Sequence, residues 1–261
     1  MGLSPAALDA HFAHWSAELD KPKYRYRKHW PSLLFHHAPL ENAVAIHAPI
    51  LVMFALDARS ILSLPLVRFS DINMQVDAAN DGDNDEFFAT IDFEKVYHEG
   101  PWIDPSIKDH RGAEVLCPSP LAINDHLRWI ICRSEAERQT LIWHTGPAIR
   151  PYRDRIRTSD DLRVFEKTFA FADRVSASNE GVIFRLNPRK DGQRLKVQVL
   201  VTNQQDQARL DVTYPELAAF SDTGASWIAR RRLADGFYPV SVFIDDHLAY
   251  RNDHYVGEVL F

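Results

Sequence analysis

Glu114 stands in the run His110-Arg111-Gly112-Ala113-Glu114-Val115-Leu116-Cys117, at the entrance to an apolar stretch closed by Pro118 and Pro120. Val115 and Leu116 read as a short buried strand bounded by breakers. A carboxylate that enters such a strand charged and unpaired costs several kcal/mol. It therefore has a partner, faces water, or lines a site. In a site, it can take a proton or stabilise a developing positive charge. The plain alternative is an edge-strand glutamate turned to solvent.

Other residues could join that chemistry. Asp71 and Asn73 lie in Val67-Arg68-Phe69-Ser70-Asp71-Ile72-Asn73-Met74-Gln75, where they could equally be ordinary turn residues. Arg59 and Arg68 offer cations for phosphate. Lys21 to Lys28 is basic with interleaved Tyr24 and Tyr26, followed by Trp30, a pattern suited to single-stranded nucleic acid or to a solvated linker anchored by its rings. Asp77 to Glu86 is acidic but lacks the calcium-loop spacing, so it reads as a solvated loop. Asp245, Asp246, His247 and His254 have turn residues as neighbours, and no metal is expected.

The elements that must position these residues follow from spacing. Ser4-Pro5 with Leu8, Phe12, Trp15 and Leu19 predicts an amphipathic helix. Leu33 to His37 reads as a strand, and Pro39 opens a helix carrying Leu40 and Val44. Ile50 to Leu56 predicts a buried strand and Asp57 to Leu62 a helical turn, with Leu56, Ile61 and Leu62 inward. Phe87, Phe88, Ile91, Phe93, Val96 and Tyr97 supply a hydrophobic segment. Ser134-Glu135-Ala136-Glu137 is a capping-box-like start to a helix that closes near Gly146. Residues 147–161, with Arg150, Arg153, Arg155 and Arg157, mark a domain boundary that could also touch phosphates. Beyond Val164 the texture alternates: Val182–Leu186, Leu195–Val201, Ala208–Val212 and Tyr238–Ile244 predict a small antiparallel β-sandwich or barrel. Asp245-Asp246, Gly192, Gly224 and Gly236 read as its hairpin loops.

The 261 residues allow one large domain or two modest ones. A formal charge of −6 argues against a globally basic nucleic-acid coat and leaves room for a local basic face. Cys117 and Cys132 are the two cysteines, expected as reduced core thiols. With neither a secretion-signal pattern nor an apolar run long enough to span a bilayer, the expectation is a cytoplasmic chain with no membrane partner.

The segment Gly112 to Pro118, followed by Leu127-Arg128-Trp129-Ile130-Ile131-Cys132, resembles the "AEfLVP … I.gI.V" end of the DarT family, NAD-dependent enzymes that ADP-ribosylate DNA bases. Leu33 to Ile46 resembles that family's "YHIThidNLpsIL" motif, with His36 and Asn42 on its His and Asn and Ala38 in place of its Thr. Val67 to Gln75 resembles "fSDgNmq", with Ile72 in place of Gly. Several dozen family residues, including an Arg that grips NAD, have no counterpart after Ile46.

The resemblance implies an ADP-ribosyltransferase-like mixed domain over 1–155, shortened after Ile46; with the accessory small antiparallel β-sandwich that the alternating strands predict over 164–261, the fold class is α+β. It implies Glu114 as catalytic residue, His36 and Asn42 as NAD-binding residues, and Asn73, Asp71 and Arg59 near the substrate. NAD would be the co-substrate, a base of single-stranded DNA the acceptor, and an antitoxin protein a partner of a toxin or phage-defence enzyme. The alternative is a catalytically inactive nucleic-acid-binding or protein-interaction module derived from the same fold.

Overall fold

The computed structural model describes residues 6, 9–10, 50, 52–74, 76–98, 103–117, 121–159, 170–187, 194–205, 207–218 and 225–258. His36, Asn42, the basic segment from Lys21 to Trp30 and the N-terminal apolar stripe lie outside the described residues. The chain is a mixed α/β protein with several small sheets, most of them antiparallel. It divides into two compact units. Of the described residues, the first holds 6, 9–10 and those within 54–129, and the second holds 50, 52–53, 130–159 and those within 170–258.

Strand β1 (Val52–Leu56), whose residues 54–56 belong to the first unit, leads into helix α1 (Ala58–Leu62). The N-cap of α1 is Asp57, whose carboxylate accepts the Ser60 N–H at 2.9 Å. Ile61 and Leu62 are buried as predicted, and so is Ala58. The strand β1 is less buried than its apolar run suggests: Ala55 is inside, but Phe54 is 51% exposed, so neighbouring positions face opposite ways. Next come β2 (Arg68–Ser70) and β3 (Asp81–Gly82), with β4 (Val115–Leu116) later in the chain. These three form an antiparallel sheet in the order β3-β2-β4. Part of the acidic stretch is thus strand rather than solvated loop, because Asp81 pairs with Ser70 in register and forms an ion pair with Arg68.

The hydrophobic segment from Phe87 to Tyr97 folds as two helices rather than one. Helix α2 (Asp85–Thr90) and helix α3 (Phe93–Val96) are separated at Ile91-Asp92, where Asp92 caps the second by accepting the Lys95 N–H at 3.1 Å. The break lets both short helices turn aromatic rings onto β2. Phe69 meets Phe88 edge-on at 5.0 Å, and Phe88, Phe93 and Tyr97 continue the row. With Val67, Val96 and Ala113 these rings form the core of this unit. Helix α4 (Ser106–His110) and helix α5 (Ile123–His126) flank β4 in sequence.

The strand β5 (Leu127–Cys132) is central in a second sheet of order β1-β5-β6, and it runs parallel to β6 (Ile156–Thr158), with Ile130 opposite Ile156. Ser134 caps helix α6 (Glu135–Thr145) as expected, accepting the Glu137 N–H at 3.1 Å. The reciprocal arm differs from a capping box: Glu137 reaches one residue further, to the Arg133 N–H at 3.0 Å. Gly146, at φ 52°, ends α6 and opens the 3₁₀ segment Gly146–Arg155. Residues 130–159 belong to the same compact unit as the strands that follow.

Those strands are β7 (Ala172–Ser178), β8 (Gly181–Leu186), β9 (Leu195–Thr202), β10 (Ala208–Leu217), β11 (Ala225–Arg230), β12 (Gly236–Ile244) and β13 (His247–Val256). They form two antiparallel sheets, β10-β9-β12-β13 and β11-β8-β7. Alternation does the work predicted for it. Val182, Phe184 and Leu186 of β8, Leu195, Val197, Val199 and Val201 of β9, and Val240, Val242 and Ile244 of β12 share one core with Ala136 of α6. Burying each such side chain is worth about 1.5–3 kcal/mol. Asp245 and Asp246, at φ 49° and 66°, make the two-residue turn from β12 to β13. Among the described residues these strands do not close into a barrel.

Candidate functional site

The sheet β3-β2-β4 brings two distant segments together. Arg68 faces Leu116 and Phe69 faces Val115 across an antiparallel ladder two residues long. The ladder ends where Ser70 and Glu114 meet. Ser70 donates its N–H to the Glu114 carbonyl at 2.9 Å, and Glu114 donates its N–H to the Ser70 hydroxyl at 2.7 Å. Ser70 is fully buried, as are Phe69 before it and Ala113 before Glu114. The main chain of Glu114 is therefore fixed by a buried core on one side and two hydrogen bonds on the other.

Its side chain is half-buried, and its carboxylate has no hydrogen-bond or ion-pair partner among the described residues. Of the three fates open to such a carboxylate, a paired structural role is the one these residues do not supply.

Asn73 joins the same cluster through two contacts. Its N–H donates to the Asp109 carbonyl at 3.0 Å, tying the loop after β2 to helix α4. Its side chain also packs on Gly112, where an added Cβ would stand 2.6 Å from the Asn73 Cβ. Only glycine fits at position 112 while Asn73 stays where it is. The turn from Asp109 to Ala113 is wound by the Gly112 N–H to Asp109 O and the Ala113 N–H to His110 O bonds, each 3.0 Å. His110 itself donates Nδ1–H to the Ser106 carbonyl at 2.8 Å, which leaves Nε2 as an acceptor in the neutral ring.

Asp71 has a different task in this loop. Its carboxylate accepts the Asn80 N–H and the Asn80 side-chain amide, each at 2.9 Å, while its own N–H donates to the Asn80 carbonyl. Partial burial works to raise its pKa, but the hydrogen bonds from Asn80, with those of its own and the Ile72 N–H groups, outweigh it and hold the carboxyl below its ordinary value. Asp71 and Asn80 are thus the clasp of the 71–80 loop. Ile72 needs no left-handed backbone: among the described non-glycine residues, positive φ occurs at Leu66, Asp245 and Asp246.

Arg59 makes a different contact. It stands exposed on α1 and pairs with Asp9 at 2.9 Å. Beside it, Ser60 Oγ lies 2.9 Å from His126 Nδ1 and donates to Asp57 O at 3.0 Å, while the Asp57 N–H donates to His126 O at 2.8 Å. This Ser–His contact has no signature in the sequence, because 66 residues separate its members. It latches the first turn of α1 to the entry of β5.

Both cysteines are free thiols. Burial raises the Cys117 thiol above its ordinary value and pushes that of Cys132 up to about 12, helped there by the Glu137 charge. Both shifts favour the protonated thiol over the nucleophilic thiolate. Among the described residues no group of three His, Cys, Asp or Glu side chains is placed to hold a metal ion. No described helix is long and apolar enough to cross a membrane. Comparison with family models, with curated proteins and with solved structures gave no match.

Proposed function

We propose that the chain is a DarT-like, NAD-dependent ADP-ribosyltransferase that modifies a base of single-stranded DNA, with Glu114 as its catalytic residue. The observation that carries the reading is the Glu114 carboxylate, half-buried and uncommitted on a main chain held by Ser70, beside the loop of Asn73. The family resemblance of three separate segments supports it, since Arg68 and Phe69 of one pair with Leu116 and Val115 of another.

NAD would supply the ADP-ribosyl group: breaking its nicotinamide–ribose bond develops oxocarbenium character at the anomeric carbon, as in glycoside cleavage. An uncommitted carboxylate is the side chain that such chemistry needs. Glu114 stabilises the developing positive charge. It then accepts the proton that the attacking base nitrogen loses as the new carbon–nitrogen bond forms, while nicotinamide leaves with the bonding pair. His36 and Asn42 hold NAD in this reading, and Asn73 faces the acceptor base. An unpaired base is required because a duplex covers the reacting nitrogen. The half-buried setting of Glu114 excludes part of the competing water.

The test is transfer of label from NAD to a mixed pool of single-stranded oligonucleotides, native chain against Glu114→Gln. Label on DNA with the native chain alone is the expected result. Oligonucleotide binding with no NAD consumed would instead make the chain an inactive nucleic-acid-binding module.

A further inference from the structure

The second compact unit carries a cavity of about 650 Å³ between the β9–β10 loop and the connection from β11 to β12. Arg209, Arg231 and Arg232 line it together with Asn203, Gln205 and Phe237, and no carboxylate is among the lining residues described. We propose that this cavity binds the backbone of single-stranded nucleic acid, with Phe237 as a stacking platform for a base.

The charge argument comes first. Three exposed guanidinium groups converge here in a chain whose formal charge is −6, and none of the three has an ion-pair partner among the described residues. Elsewhere in this unit the exposed cations of Arg194 and Lys196 pair with Glu216 and Asp246. Like charges around one cavity, without an ion-pair partner among the described residues, repel each other, and an anion that enters relieves the repulsion. The planar guanidinium fork matches a phosphate's oxygens.

The cavity is also built on fixed main chain. The Arg231 N–H donates to Glu180 O at 3.0 Å and the Leu233 N–H to Asn179 O at 3.1 Å, with Leu233 buried. Tyr238 donates its hydroxyl to Ala234 O at 3.0 Å. Across the cavity, Asn203 Oδ1 accepts the N–H groups of Gln205 and Gln207 at 3.1 and 2.9 Å, which sets the shape of the β9–β10 loop. The arginines are thus presented from a framework that binding need not order.

The rim selects a strand over a free small molecule. A small-ligand pocket encloses most of its ligand. Here Phe237 is 58% exposed and Tyr255, its neighbour across the β12–β13 ladder with ring centroids 5.1 Å apart, is 43% exposed. Cations that track a backbone beside open aromatic faces are what single-stranded nucleic acid requires. The inference needs neither Glu114 nor NAD.

The experiment is fluorescence anisotropy of a labelled oligo-dT strand with the full chain, over a range of salt, with a free nucleotide as competitor. The native chain should bind with affinity that falls as salt rises. Replacing both Arg231 and Arg232 by Gln should lower the salt slope by about 1.4, at roughly 0.7 per phosphate contact on a single strand. Phe237→Ala should weaken binding about tenfold and leave the slope unchanged. Native-like binding by both variants, with unfolding midpoints also native-like, would overturn the proposal, as would displacement of the strand by an equal concentration of free nucleotide. Glu114→Gln should bind like the native chain. A native chain that binds the strand without transferring label would remove the proposed reaction and leave this site standing. A chain that labels DNA equally with and without the arginines would do the reverse.

Discussion

Ser70 and Glu114 exchange main-chain hydrogen bonds across the end of the β2–β4 ladder, and the Ser70 side chain supplies one of the two acceptors. The ladder is two residues long, and at its end the serine hydroxyl takes the N–H that a main-chain carbonyl would take in a regular pair. Ser70→Ala leaves the Glu114 N–H without its acceptor. The expected loss is about 1–3 kcal/mol in urea unfolding, the cost of an unsatisfied amide. Label transfer at a temperature where both proteins are folded should fall as well, because the carboxylate loses its fixed origin. Unchanged transfer by a folded variant would show that this clamp does not position Glu114.

Gly112 and Asn73 make a second prediction. Gly112→Ala drives a methyl group into the Asn73 side chain, an overpacking that costs about 1–3 kcal/mol. In an Asn73→Gly background the same substitution should cost much less, since the clashing atoms are gone. A double-mutant cycle by thermal unfolding reads the difference. Equal penalties in both backgrounds would mean that the contact is not the source.

The Arg133–Glu137 pair makes a third. Glu137 is 1% exposed and receives both the Arg133 guanidinium and the Arg133 N–H, while the guanidinium lies 4.5 Å over the Phe171 ring. Arg133→Leu takes the countercharge from a buried carboxylate that keeps the residue 133 N–H, and should destabilise by about 3 kcal/mol. Adding Glu137→Leu should restore part of that loss, measured by denaturant midpoint. A single variant as stable as the native protein would contradict this account.

His254 sets the sign of a pH dependence. Burial lowers its pKa from the ordinary 6.5, with the Asp253 charge opposing, and its ring meets the Tyr250 hydroxyl, which also donates to Gln139. The unfolded chain therefore takes up the proton first as pH falls through 6.5. The contribution of His254 is fully present above that pH and is lost as pH drops through the lower folded value. Urea midpoints of the native chain should fall below neutrality more steeply than those of His254→Gln. Parallel slopes would remove His254 as the cause.

Much of this architecture was legible in the residues. Period-two alternation located β8, β9 and β12, and Ser134 marked the start of α6, because these signals are local. The break at Ile91-Asp92 was not: Phe87 to Tyr97 is apolar enough to read as one helix, and the capping carboxylate of Asp92 is recognisable only once the chain turns there. The strand β13 escaped because His247, Asn252, Asp253 and His254 are turn-type or metal-type residues that the sheet tolerates by pairing with β12. The neighbourhood of Glu114 and Asn73 followed from motif resemblance alone. The Asp71–Asn80 clasp and the cavity of Arg209, Arg231 and Arg232 depend on contacts between segments distant in sequence, and no spacing announces them.

The Ser134 hydroxyl does two things at once: it accepts the Glu137 N–H and donates to the Ala172 carbonyl at 2.7 Å. Thr140 and Gln139 add bonds from the same helix to Arg251 and Tyr250. Anyone dissecting the gene into fragments should therefore keep helix α6 on the same piece as the strands. A piece beginning at Val164 would carry the strands without the helix that covers Tyr250, and it should be recovered as insoluble protein.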